Sequence, residues 1–247
     1  MHTYFKLSCF LLIGLIAGCA SLQQERKAFK IKSYVKVFSH MVATKCIAMK
    51  DEKESLCTEV DFISSGSGSI VHHKKNETFI LTAAHVCTSE LKDEIKTEFD
   101  KFSRKFRIQT SEDKFIDAEL SAISPEFTDG KGVDLCLLKV SKLNLPKLHL
   151  AKEKPKLGER VYSMASPTGA YNPPAPILAS GHYSGENGSG FQSIVTIAHA
   201  PGSSGGPIVN SRGELVGMIF AVNERLDSLT LCVKHDSIRK FLNQHLK

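Results

Sequence analysis

The chain contains no block of basic residues, no internal repeat, no low-complexity tract and no apolar run long enough to cross a bilayer comfortably. Its formal charge of +6 comes from 32 Lys and Arg against 26 Asp and Glu, with lysines scattered among glutamates as in Glu94-Ile95-Lys96 and Lys152-Glu153-Lys154. Nucleic-acid binding needs a clustered basic face, so this scatter excludes it and describes a solvated surface. Metal chemistry is missing as well: adjacent His72 and His73 point to opposite faces of a strand and cannot hold one ion together. Neither a metal nor a cofactor is expected. What the chain does have is 42% apolar residues among 247, which exclude disorder and suffice for one large β domain or two small ones.

The apolar run at 7–16 follows Lys6 and, at about ten residues, suits the core of a signal peptide and not a membrane span. It ends in Leu15-Ile16-Ala17-Gly18-Cys19, which resembles the lipobox of bacterial lipoproteins. The resemblance implies a signal at 1–18, export, and a diacylglycerol on the Cys19 thiol that attaches the chain to a lipid membrane. An ordinary cleaved signal and an uncleaved anchor are the alternatives. Ala20 follows, where an aspartate would hold such a lipoprotein at the inner membrane, so in a host with two membranes the expectation is the outer one or its periplasmic face. Residues 19–33 form the lipidated cysteine and a polar tether. Residues 20–32 reach roughly 45 Å extended and about 20 Å as a coil, which keeps the body near the lipid. One acyl chain anchors marginally, and a second lipid signal makes anchoring stable.

Beyond the leader five cysteines remain, so at least one thiol stays unpaired. Cys46 and Cys57 flank the turn-like Lys50-Asp51-Glu52-Lys53, and a hairpin there would bring them together as a disulfide. Cys136 lies inside an apolar strand and reads as a small core residue. Short β-branched and apolar runs, punctuated by Gly, Pro, Ser and Asn, predict strands at 34–38, 67–72, 79–82, 105–110, 116–121, 133–140, 160–165, 177–183, 193–198, 207–209, 215–222 and 229–233. Ile238, Phe241, Leu242 and Leu246 recur at helical intervals after Asp236-Ser237, a plausible cap, so a short helix closes the chain. The segment 142–157, with Pro146, Pro155 and alternating charge, reads as a linker between halves.

Three motifs carry chemistry. Thr82-Ala83-Ala84-His85 follows a strand-like run, Val133-Asp134-Leu135 opens another, and Pro201-Gly202-Ser203-Ser204-Gly205-Gly206-Pro207 holds a serine between glycines on a sharp turn. Such a turn exposes a hydroxyl beside backbone N–H donors. Serine is a poor nucleophile near neutrality, so it needs a histidine to take its proton and a carboxylate to fix that histidine's tautomer. The chain supplies these in the order His, Asp, Ser.

With Gly66-Ser67-Gly68-Ser69-Ile70-Val71 preceding the histidine motif, residues from about 34 to 246 resemble the trypsin-like serine protease superfamily, and HtrA-type bacterial proteases in particular. The resemblance implies an all-β, chymotrypsin-like fold of two six-stranded antiparallel barrels, barrel 1 at about 34–141 and barrel 2 at about 158–234, with a helix at about 236–246. It implies catalytic His85, Asp134 and Ser204, and an oxyanion hole from the N–H groups of Gly202 and Ser204. A disulfide known in trypsins uses the residue immediately after the histidine. Cys87 stands two after His85, so that bridge is not carried over. Ser203 occupies the place of the aspartate that pairs with a freed N-terminus in zymogens, so activation by such a cleavage has no acceptor here. After Val233 only the helix is expected, without the PDZ domain usual in HtrA proteases.

By position relative to Ser204, a substrate pocket includes Ala198, His199 and Phe220 on the 219–221 strand, with no acid at its base. That favours small or medium apolar side chains before the cleaved bond over Lys or Arg. His199 either packs there or recognises an acidic or amide group. The function implied is a lipid-anchored, extracytoplasmic serine endopeptidase acting on polypeptides. The alternative is a silent protein of the same fold that serves as a binding or scaffold lipoprotein of the envelope.

Overall fold

The computed structural model describes residues 29–48, 55–88, 97–127, 131–173, 175–188, 190–222 and 228–246. Cys19, the leader and most of the tether lie outside them. Twelve strands form two six-stranded antiparallel barrels. The first contains β1 (Tyr34–Ala48), β2 (Ser55–Lys74), β3 (Glu77–Thr82), β4 (Lys101–Thr110), β5 (Phe115–Ile123) and β6 (Cys136–Ser141). Its ring runs β1-β2-β3-β6-β5-β4 and closes because β4 pairs back onto β1. The second contains β7 (Arg160–Ala165), β8 (Ile177–Glu186), β9 (Gln192–Val195), β10 (Pro207–Asn210), β11 (Leu215–Val222) and β12 (Thr230–Lys234). Its ring runs β10-β11-β12-β9-β8-β7 and closes through β7 on β10.

Closure follows from the side-chain pattern. Along β1, Val35, Val37, Ser39, Met41 and Ala43 are buried while Lys36, Phe38, His40, Val42 and Thr44 lie at the surface, the two-residue period of a strand with one face on a core. A closed ring leaves no row of unpaired backbone groups for another chain to join. One hydrophobic cluster fills barrel 1 and continues across the junction through Tyr162, Met164, Leu215 and Met218 to Ile238 and Phe241; a second, with Val161, Val195, Ile208, Val216 and Ile219, fills barrel 2.

Several sequence expectations need correction. The strands expected at 34–38 and 67–72 are the inner ends of a much longer hairpin. Its outer part, where β2 is mostly exposed, is paired along its whole length and locked near the tip by a disulfide between directly opposed Cys46 and Cys57. Polar residues such as Lys45, Thr58 and Glu59 hid it, because residues 56–61 of β2 are all exposed and leave no apolar alternation there. Cys136 is not a lone core residue: it forms a disulfide with Cys87. The helix α2 (His235–His245) starts two residues before Ser237; its N-cap, Lys234, makes no side-chain cap bond. Asp236 thus sits in the first turn, where its charge faces the positive helix end, and does not cap. Cys232 is the free cysteine among the described residues, and complete burial pushes its thiol pKa up.

Candidate functional site

His85 lies on a one-turn helix, α1 (Ala84–Thr88), that leaves the end of β3. Consecutive helical residues step by about 100°, so Cys87 lies roughly 200° around the turn from His85. One therefore faces inward while the other faces solvent: Cys87 is 3% exposed and the His85 side chain 41%. Cys87 meets Cys136, the first residue of β6, and this rotation is what the sequence spacing concealed.

Asp134 precedes β6 on a segment held by Leu135 N–H on the Val133 carbonyl and by Ser124 N–H on the Leu135 carbonyl. Its carboxylate is buried, and each oxygen is satisfied by His85: the backbone N–H donates to Oδ1 across 2.9 Å and Nδ1 to Oδ2 across 2.6 Å. Two donors offset the desolvation of a buried carboxylate. A ring that donates from Nδ1 carries its basic lone pair on Nε2.

The third motif arrives from barrel 2. Its turn is held by Ser203 N–H on the Ala200 carbonyl, Gly206 N–H on the Ser203 carbonyl and Gly205 N–H on the Ile219 carbonyl. Gly205 has φ of +87° and packs so closely that a Cβ would lie 2.0 Å from the Ser67 carbonyl oxygen and 2.3 Å from Thr82 Oγ1. Only glycine fits. The Ser204 carbonyl accepts the Ser67 N–H at 2.7 Å, which docks the turn on β2. Gly66 marks the point of convergence: a Cβ there would meet both Val86 of the His85 turn, at 2.7 Å, and the Ser204 carbonyl oxygen, at 2.9 Å.

Among the described residues, the N–H groups of Gly202 and Ser204 meet no protein acceptor, whereas those of Ser203, Gly205 and Gly206 all do. The adjoining carbonyls are turned away and held: Pro201 accepts from the Thr168 N–H at 2.6 Å, and Gly202 from the Ser67 hydroxyl at 2.9 Å. A buried network backs this arrangement. Ser67 Oγ also accepts the Ser166 N–H at 3.0 Å and lies 3.0 Å from Tyr34 Oη. Since the one Ser67 proton goes to Gly202, Tyr34 donates to Ser67, and the Ser166 hydroxyl in turn donates to Tyr34. Burial pushes the Tyr34 pKa up to about 12, against the weaker pull of its hydrogen bonds from Ser166 and Ser67, so this network keeps its proton.

Sequence reasoning missed Tyr34, Ser166 and Thr168. No local signal marks a tyrosine or serine that matters only through a partner in the other barrel. Thr168 sits at φ of +54°, unusual for a residue with a side chain, and its neighbour Gly169 accepts from Lys36 Nζ at 2.7 Å.

Of the residues expected in a pocket, Ala198 is exposed and Phe220 is half-buried beside Phe191, their ring centroids 5.8 Å apart. Among the described residues His199 Nε2 is buried without a hydrogen-bond partner, and burial pushes its imidazole pKa down to about 4. Ser203 is fully buried, and its hydroxyl meets no partner among the described residues.

Residues 66–218 match the family model of the trypsin-like peptidase domain. A probable periplasmic serine endoprotease, DegP-like, from Pseudomonas putida is 32% identical over 158 residues, 63% of this chain and 28% of that protein. A serine protease HTRA1 from Xenopus laevis is 29% identical over 187 residues, 72% of this chain and 36% of that protein. The chain thus spans about a third of the length of such relatives. Two solved structures share the fold: an HtrA-type protease with a decapeptide, at TM-score 0.63 and 19% identity, covering 90% of this chain and 68% of that one, and the active form of a Mycobacterium tuberculosis protease, at TM-score 0.59 and 18% identity, covering 87% and 82%.

Proposed function

Since the chain belongs to the trypsin-like peptidase family, we propose that it is a serine endopeptidase in which Ser204 attacks the peptide carbonyl, His85 carries the proton and Asp134 orients His85. The observation that carries this reading is the convergence at Gly66 of the His85–Asp134 pair with a serine turn bearing two unpaired N–H groups.

Attack by Ser204 Oγ moves its proton to His85 Nε2, the ring nitrogen that does not face Asp134. The carbonyl oxygen becomes an oxyanion and is received by the N–H groups of Gly202 and Ser204; one such donor is worth about 3–4 kcal/mol in a comparable site. The imidazolium, steadied by Asp134, gives its proton to the leaving amine. Water then repeats the sequence in reverse on the acyl-enzyme and frees Ser204. Neither metal nor cofactor enters. Ser203 offers no charge to a freed N-terminus, so cleavage of a propeptide is not what orders the site; the carbonyls of Pro201 and Gly202 are already turned from the hole by Thr168 and Ser67.

Export and attachment through Cys19 complete the proposal, supported by the lipobox-like sequence and by relatives described as periplasmic. Substrates are unfolded or loop-exposed polypeptides with small or medium apolar side chains before the cleaved bond. A fluorophosphonate probe should label the protein, and Ser204→Ala should abolish labelling. Cleavage of a peptide library chiefly after Lys or Arg would overturn the pocket assignment.

A further inference from the structure

Two links join the same pair of segments. His85 to Asp134 is a hydrogen-bonded contact, and Cys87 to Cys136 is covalent; each spans 49 residues, and each cysteine stands two residues after its partner in the first link. Three features make the second link matter to the first. The helix carrying His85 is only five residues long, and a single turn does not hold itself in water. The histidine side chain is 41% exposed, so packing encloses little more than half of it. The disulfide, in contrast, is buried at both ends, at 3% and 0% exposure.

Resting on the serine-protease reading above, we propose that the Cys87–Cys136 disulfide is the positioning element of the site: closed, it holds α1 and the Asp134 segment in register, and open, it leaves a folded protein whose histidine and carboxylate no longer keep their alignment. Activity is thereby tied to an oxidising compartment. In a reducing interior both cysteines stay thiols. After export the two thiols lose two protons and two electrons by exchange with an incoming protein or small-molecule disulfide, which departs as two thiols. A dithiol or phosphine reductant reverses the change. The hairpin disulfide is a built-in control, since Cys46 and Cys57 are paired with each other near the tip of the β1–β2 hairpin and belong to neither segment.

The test compares Cys87→Ala/Cys136→Ala with Cys46→Ala/Cys57→Ala in peptide hydrolysis, with circular dichroism as the check on folding. The first pair should lose kcat by about 10- to 100-fold, the scale set by sub-ångström to ångström misplacement, with KM preserved. The second should keep both. Should the first variant fail to fold, the wild type is reduced step by step while alkylation of each cysteine is followed by mass spectrometry. Activity should fall with alkylation of Cys87 and Cys136, not of Cys46 and Cys57, and return on re-oxidation of unalkylated protein. Full kcat in folded protein whose Cys87 and Cys136 are both thiols overturns this proposal alone. Failure of the oxidised wild type to take a fluorophosphonate overturns the serine reading, and this proposal with it.

Discussion

The hydroxyl of Ser67, on β2 of the first barrel, donates to the carbonyl of Gly202, on the turn before Ser204 in the second, across 2.9 Å. It also receives the Ser166 N–H and the Tyr34 hydroxyl, so one small side chain settles three polar groups at the barrel junction. Ser67→Ala strands its partners in a buried place. The expected cost is about 1–3 kcal/mol in unfolding free energy. Because the Gly202 carbonyl is then unrestrained, labelling by a fluorophosphonate should slow as well. Thermal unfolding and labelling rate measured on one preparation decide both points.

Gly205 and Gly158 offer a matched contrast. Both have positive φ, +87° and +79°, but an added Cβ collides with the Ser67 carbonyl at the first and meets nothing within 4 Å at the second. Gly158→Ala therefore pays only the left-handed backbone penalty, about 1–2 kcal/mol. Gly205→Ala adds a backbone clash and should cost more than about 3 kcal/mol. Denaturant midpoints of the two variants should be well separated, and equal midpoints would contradict the docking of the serine turn on β2.

Acid stability should report on His199. Its folded-state pKa is lowered by burial from 6.5 to about 4, so the unfolded chain binds a proton that the folded one refuses. The stability this group contributes is full above pH 6.5 and declines as pH falls toward 4. His199→Phe should flatten that part of the stability profile while leaving the neutral plateau intact. The same variant tests the pocket assignment, since a change in the cleavage preference of a peptide library is expected only if this ring meets substrate.

Alkaline titration gives a fourth test. Burial raises the Tyr34 pKa from 10.0 to about 12. The folded protein holds this proton more tightly than the unfolded chain, so the associated stability is complete below pH 10 and is lost as pH rises toward 12. Ultraviolet titration of tyrosinate should show a late component that Tyr34→Phe diminishes. Tyr171, whose ring lies 5.1 Å from that of Tyr34, is also raised by burial, so the variant should lessen the late component without abolishing it.

The strands and the three chemical motifs were legible because each is local. Val161 to Ala165 and Leu215 to Val222 carry their apolar residues in sequence, and a histidine after a strand or a serine between glycines needs no partner to be noticed. What could not be read was what depends on the other barrel or on rotation about an axis. The Cys87–Cys136 bridge required knowing that position 87 turns inward on a one-turn helix, and the Tyr34–Ser67–Ser166 network joins residues more than a hundred positions apart. The outer hairpin escaped for the opposite reason. Its ladder is held by backbone pairing and a disulfide, and its side chains bury too little to leave a pattern.

Each ring closes on strands contiguous in sequence, and the chain between β6 and β7 is itself divided: Leu148 N–H bonds to Ile70 in the first barrel, and Ala151 N–H to Leu215 in the second. A break near His149 would fall within none of the twelve strands, yet it would deliver His85 and Asp134 on one fragment and Ser204 on the other. The molecule is thus laid out as a split reporter. Two halves fused to a pair of interacting proteins should stay inert apart and regain hydrolysis when their partners meet.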